Sequence, residues 1–121
     1  MAERTDAGGR RVKCGEIHWA KPDPAVGPEQ AGRQPVLIVS SDDAIAAIPS
    51  VVTTIPLTTR ERGWATHVRV EGADTGLDEP SWALCEQVRT ISVQRIGGRV
   101  GIADGVTMTS VRRVLGYLLN M

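Results

Sequence analysis

A mainly β chain, folded as a small, strongly bent barrel with short helical insertions and one C-terminal helix, is the architecture this sequence predicts. Three observations lead there. Short apolar and β-branched runs recur between loops rich in Pro and Gly, the pattern of strands and their connections. The runs follow one another so closely that neighbours should pair antiparallel. Only the tail carries a helical stripe, with Val111, Val114, Leu115 and Leu118 at i, i+3, i+4 and i+7.

Taken in order, residues 1–14 read as a flexible arm. They hold basic residues with no apolar segment behind them, so a secretory leader is not expected. Residues 15–121 make up one domain. Glu16–Trp19 is a short strand, with Ile17 and Trp19 on one face and Glu16 and His18 on the other. From Lys21 to Gln34 the chain is thick with Pro and Gly, which excludes a helix and leaves a long loop of a kind that often carries function. Pro35 opens the apolar strand Val36–Val39, whose unbroken hydrophobicity suggests cover on both faces. A helical turn over Asp42–Ile48 is stopped by Pro49. Val51–Leu57 is a β-branched strand, and Pro56 near its end argues for an edge or a bulge. After the polar loop 58–63, Ala65–Val70 alternates as a half-exposed strand. A turn-rich loop spans Glu71–Pro80, and Ser81–Glu86 and Val88–Ile91 are strand-like around Gln87. Thr107 or Thr109 is positioned to cap the terminal helix.

Composition narrows the function classes. Hydrophobic residues at 41% and charged residues at 23% are ordinary for a soluble domain, and no apolar run approaches the roughly 18–20 residues of a membrane span. A cytoplasmic protein is expected. Cys14 and Cys85 fit no metal spacing and are expected as reduced thiols, and with only two histidines no metal centre or other cofactor is expected. The formal net charge is zero, so any nucleic-acid site must be a local basic patch. Twelve of the 14 basic residues are arginine, the better fork for phosphate, although a high-GC genome biases codons the same way.

Three blocks carry a resemblance to a known family. The first is Gly15-Glu16-Ile17-His18-Trp19, followed by Asp23-Pro24, Gly27, Glu29-Gln30-Ala31-Gly32 and Pro35-Val36-Leu37-Ile38-Val39-Ser40. The second is Ile55-Pro56-Leu57-Thr58-Thr59, and the third is Cys85-Glu86-Gln87-Val88-Arg89-Thr90-Ile91. In this order they resemble the MazF/PemK (Kid) toxins of type II toxin–antitoxin systems. The resemblance implies an SH3-like barrel that forms a homodimer and cuts single-stranded RNA at short motifs. It also implies a cognate MazE-like antitoxin whose acidic tail covers the RNA groove, and chemistry without a metal. In that chemistry the 2′-hydroxyl attacks the adjacent phosphate, leaving a 2′,3′-cyclic phosphate and a 5′-hydroxyl.

Such a reaction needs a group to take a proton, a group to give one, and stabilisation of the phosphorane. By position, Thr58 matches the family's catalytic threonine; the plainer reading is a strand-end residue satisfying a turn. The family arginine before the proline is replaced here by Gln34, with Arg33 one place earlier. Glutamine can donate hydrogen bonds but supplies no cation. Three readings stay open: Arg33 serves instead, the chain is weak or altered in specificity, or the glutamine is an introduced inactivating change. Glu86 aligns with an acidic residue used as base or RNA contact, and is otherwise a structural carboxylate on loop amides or Arg89. Glu29 and Gln30 lie in the loop that frames the family's groove, where an amide such as Gln30 commonly pins a loop.

Thr59, Arg60, Arg62 and Gln87 complete the expected RNA surface, the arginines as phosphate contacts that add affinity without sequence. Trp64, just past them, is the expected stacking platform. Trp19 and Trp82 are expected in the core or a dimer interface, and His18 and His67 on solvent-facing strand positions. Two competing functions remain: a CcdB-like toxin that binds gyrase, and a catalytically impaired relative that still binds antitoxin or RNA.

Overall fold

The stretch Val51–Thr58 is dense in β-branched residues, and the other strands assemble around it. A computed structural model describes residues 12–21 and 33–121. Among these, the elements run β1 (Glu16–Ala20), β2 (Gln34–Ile38), α1 (Asp42–Ala47), β3 (Val51–Thr58), β4 (His67–Arg69), β5 (Trp82–Leu84), β6 (Arg89–Ser92), β7 (Ile96–Ile102) and α2 (Gly105–Leu119). Every pairing described is antiparallel. The order is β4-β5-β3-β2-β1-β7, with β6 also on β3, so β4 and β7 end an unclosed sheet.

β3 is central and not an edge. Its first half pairs with β6 from Val51 to Thr54, and Leu57 and Thr58 pair with β5. Pro56 falls at the handover between those two neighbours, where its missing N–H interrupts no ladder. That is why a proline is tolerated inside this strand.

Strand alternation sorts the core into two clusters, one on each face. Ile17, Leu37, Ile55, Leu57, Val68 and Ala83 pack with Met108 and Val111 of α2. Val36, Ile38, Val52, Ile91 and Ile96 form the second cluster with Ile45 of α1. The expected stripe on the terminal helix is present as far as Leu115, with Val111 fully buried and Val114 and Leu115 packed against the first cluster, whereas Leu118 is exposed. Each helix begins on a side-chain oxygen: Ser41 accepts from the Ala44 amide, and Asp104 accepts from the Thr107 amide. The cap of α2 is therefore Asp104 and not Thr107 or Thr109. Thr107 is instead buried, its hydroxyl accepting from the Glu71 amide and donating to the Glu71 carbonyl.

The structure departs from the sequence expectation in several places. β7 lies in a stretch for which no element was expected, and Gly97 and Gly98 interrupt its apolar pattern. It forms because β1 supplies a partner, with register shifts that absorb the irregularity. Its Gly101 has a further reason: a side chain there would run into the Thr75 carbonyl of the packed 71–80 loop. Gly76 of that loop has φ +69°, and a Cβ on it would meet the Val100 carbonyl. The segment Cys85–Gln87 is a 3₁₀ turn and not a strand. At the N-terminal side, packing already includes Val12, which is buried in the second cluster, and the Cys14 amide donates to Asp42. Cys14 and Cys85 are both free thiols.

Candidate active site

The registers of four adjacent strands draw one line across the sheet. Val36, Leu37 and Ile38 face Pro56, Ile55 and Thr54, and continuing two places sets Gln34 opposite Thr58. Thr58 is opposite Trp82, and Trp82 is opposite Arg69. Directly opposed residues share a face, so Gln34, Thr58, Trp82 and Arg69 lie in a row. The row is on the face away from α2, because the neighbouring residues Leu57, Ala83 and Val68 belong to the α2-side core. It lies where the second apolar cluster runs out. Gln34 and Arg69 are exposed, and Thr58 and Trp82 are half-buried.

Thr58 closes a turn as well as facing the row. Its hydroxyl oxygen accepts from the Arg60 amide at 3.1 Å. Accepting that bond leaves the hydroxyl proton available to a ligand, so the turn orients the group and does not consume it. The side-chain amide of Gln34 donates to the Leu57 carbonyl at 3.4 Å, a long bond that sets it beside Thr58. Arg33 lies elsewhere. Its guanidinium sits 4.9 Å from the centre of the Trp19 ring, on the strand face opposite Gln34.

The loop after Thr58 exposes Thr59, Arg60, Arg62 and Trp64. Trp64 is 55% exposed, with Arg62 at 5.9 Å from its ring centre on one side and the His67 ring stacked at 4.9 Å. Gln87 is exposed at the end of the 3₁₀ turn. Glu29 and Gln30 lie outside the described residues. The loop that contains them leaves β1 and enters β2 at Ala20 and Gln34, which are paired at the end of the row.

Glu86 has both carboxylate oxygens engaged. Thr66 donates its hydroxyl to one at 2.7 Å, and His67 Nε2 donates to the other at 3.1 Å. Burial pushes this carboxyl up, but the bonds from Thr66, its own backbone and His67 outweigh that and hold it below the usual carboxylate range. Such a group is a poor proton acceptor near neutrality. Bonds from Thr66, His67 and its own backbone make it a structural carboxylate as well. His67 is not solvent-facing: its side chain is 2% exposed and its Nδ1 has no hydrogen-bond partner.

His18 is likewise a correction. It was expected on a solvated strand face, yet it is fully buried because β1 has neighbours on both edges and cover on both faces. Its Nδ1 is 3.0 Å from the Gly97 carbonyl, and its Nε2 is 2.9 Å from Glu16. The Lys13 amide and the Arg99 guanidinium donate to the same buried carboxylate. Burial pushes Glu16 up, but the bonds from His18, Lys13 and Arg99 bring it below its ordinary value. This cluster ties β1 to β7 and is structural.

Trp82 and Arg69 were not assigned to the site from sequence. Alternation alone puts neither beside Thr58; that takes the pairing partners of β5.

Comparison with known proteins adds to the geometry. Residues 13–119 match the family described as PemK-like, MazF-like toxin of type II toxin–antitoxin systems. The chain is 32% identical over 111 residues to endoribonuclease EndoA of Bacillus subtilis, covering 91% of this chain and 96% of that protein. The fold is similar to the Mycobacterium tuberculosis toxin MazF-mt6, with a TM-score of 0.71, 28% identity, and coverage of 88% and 97%. It is also similar to MazF from Deinococcus radiodurans, with a TM-score of 0.72, 26% identity, and coverage of 91% and 97%.

Proposed function

The chain belongs to the PemK-like, MazF-like toxin family of type II toxin–antitoxin systems, and from that premise we propose how its own residues cut RNA. It is an endoribonuclease toxin acting on single-stranded RNA in the cytoplasm, as a homodimer held in check by a cognate MazE-like antitoxin. Among the described residues no helix is long and apolar enough to cross a membrane. The observation that carries the site assignment is the row Gln34–Thr58–Trp82–Arg69 on the sheet face away from α2, with the arginine loop beside it.

In this reading the scissile phosphate sits over Thr58, whose hydroxyl donates to a non-bridging oxygen. The Gln34 amide is the second donor from the row. Arg60 and Arg62 hold the flanking backbone phosphates, a contribution to affinity that salt screens. The 2′-hydroxyl gives its proton to solvent water as its oxygen attacks phosphorus, the bond to the 5′-oxygen breaks, and the leaving oxygen takes up a proton from solvent. The products are a 2′,3′-cyclic phosphate and a 5′-hydroxyl. No external nucleophile is required, and so no metal-activated water is called for. Glu86 acts here by fixing His67 and Thr66 below Trp64, as a positioning residue and not as the base. The acidic tail of the antitoxin competes with RNA for the same arginines.

Family membership favours this over the gyrase-binding reading. The reading of a catalytically impaired member keeps one specific support: Arg33 rests on Trp19, away from Thr58, so the row contains no cation at the position of the family arginine.

The test uses the purified protein and Thr58→Val with a long single-stranded RNA in excess EDTA, with end mapping of the products. Cleavage at a short motif with 5′-hydroxyl ends, lost in the variant, is the expected result. Equal cleavage by the valine variant would remove Thr58 from the mechanism. Binding without cleavage by the unaltered chain would establish the impaired form.

A further inference from the structure

Trp82 has no part in the phosphate chemistry above, yet its register makes it the immediate neighbour of Thr58. We propose that Trp82 and Arg69 form a nucleobase-stacking subsite for the base next to the phosphate held at Thr58. The proposal rests on the reading that Thr58 binds that phosphate.

Three observations carry it. Thr58 and Trp82 are Cα partners across β3 and β5, and such opposed side chains stand roughly 5 Å apart on one face. That spacing is on the scale between a phosphate and its own base, so an indole here receives a base without distorting the backbone. Next, the Arg69 guanidinium lies 5.5 Å from the centre of the Trp82 ring. The contact fixes the orientation of a half-buried indole. It also adds a planar cation, a second surface on which bases stack.

The third observation gives the RNA a direction across the site. Beyond Arg69 the surface drops into a recess of about 300 Å³ whose lining includes Glu71, Asp78 and Glu79. Carboxylates repel a phosphate backbone, whereas Arg60 and Arg62 attract it from the loop after Thr58. The backbone therefore runs on the Arg60–Arg62 side and the base turns toward Trp82 and Arg69. Trp64 lies in the arginine loop, stacked on His67 at the start of β4, and serves a different nucleotide.

Stacking on an indole tolerates any base, so the subsite adds affinity and placement more than sequence choice. The experiment compares unaltered protein, Trp82→Ala and Trp82→Phe. The probe is a short, labelled single-stranded RNA of mixed sequence, made uncleavable by 2′-O-methyl groups. A second probe carries abasic positions in place of its bases. Binding is followed by fluorescence anisotropy, with circular dichroism and sedimentation as checks of fold and mass.

The alanine variant is expected to bind the intact probe on the order of ten-fold more weakly. The phenylalanine variant should retain most of the affinity, and on the abasic probe the alanine penalty should vanish. Equal binding by the alanine variant overturns the subsite while leaving the ribonuclease reading intact. So does a penalty of the same size on both probes, which would mark a purely structural tryptophan. A lower sedimenting mass with no difference between probes assigns Trp82 to a contact between copies and also overturns it. If unaltered protein binds neither probe, the phosphate site at Thr58 falls and this subsite falls with it.

Discussion

Replacing Gln34 by arginine places a cation where the row has none, and the gain can be worked from the geometry. Position 34 continues the β2–β3 register to lie opposite Thr58, and opposed Cα atoms are about 5 Å apart. A guanidinium reaching over Thr58 would then stand about 5 Å from the phosphorane. At an effective dielectric of about 20, a unit charge at that distance is worth about 3 kcal/mol toward each added negative charge. Gln34 is exposed, so solvent reduces this to about 1–3 kcal/mol. Only the part that grows between bound RNA and transition state accelerates the reaction. The rate constant should therefore rise by about 5- to 100-fold.

The cost to the fold is small. The bond lost is the 3.4 Å contact from the Gln34 amide to the Leu57 carbonyl, and the residue is exposed. Stability should change by no more than about 0.5 kcal/mol. Single-turnover cleavage of one labelled RNA by the two proteins, at fixed salt and in EDTA, gives the ratio directly. The acceleration should shrink as salt is raised. An arginine variant that folds, binds RNA as tightly and cuts no faster would refute the placement of residue 34 beside the reacting phosphate. Acceleration that ignores salt would refute the electrostatic reason for it.

Other consequences follow from particular contacts. Glu16→Gln removes the charge that His18, Arg99 and the Lys13 amide all face in a buried site, and should destabilise the fold by about 3 kcal/mol in urea unfolding. Glu16 is lowered from the ordinary 4.5, so its stabilisation is fully present above pH 4.5 and is lost as pH falls through the folded value. The acid limb of a stability-versus-pH curve should accordingly be shallower in the glutamine variant, and identical limbs would refute the assignment. Gly76→Ala forces a β-carbon into positive φ and against the Val100 carbonyl, and should cost at least about 1 kcal/mol, read as a lower melting temperature. Cys85 is pushed up to about 11 by burial and by Glu86, so native protein should resist iodoacetamide at pH 8 until it is unfolded, and rapid labelling of Cys85 would contradict its packing.

Much of the fold was legible because local rules set it. The β-branched runs, the helical turn from Asp42 and the Val111 stripe as far as Leu115 each act within a few residues, and they appear where expected. That Thr58 ends its strand, with Arg60, Arg62 and Trp64 exposed in the loop after it, was legible for a similar reason. A strand end followed by a polar loop is exposed whichever partners the strand takes. What stayed hidden depended on partners far away in sequence. β7 reads as broken by glycines until β1 and the 71–80 loop are packed on it, after which those glycines are what the close approach requires. His18 looks solvated until both edges of β1 are filled.

The same division runs through the site. Residue identity alone determines that position 34 carries no charge, because no fold can turn an amide into a cation. Where Arg33 points was decided by the pleat: one step along a strand reverses the face, and the guanidinium went to Trp19. Residue type likewise offers Trp82 and Arg69 as an aromatic and a cation, but their place beside Thr58 comes from cross-strand register. Register is a property of pairs of strands, and a single sequence lists its strands without saying which lie side by side.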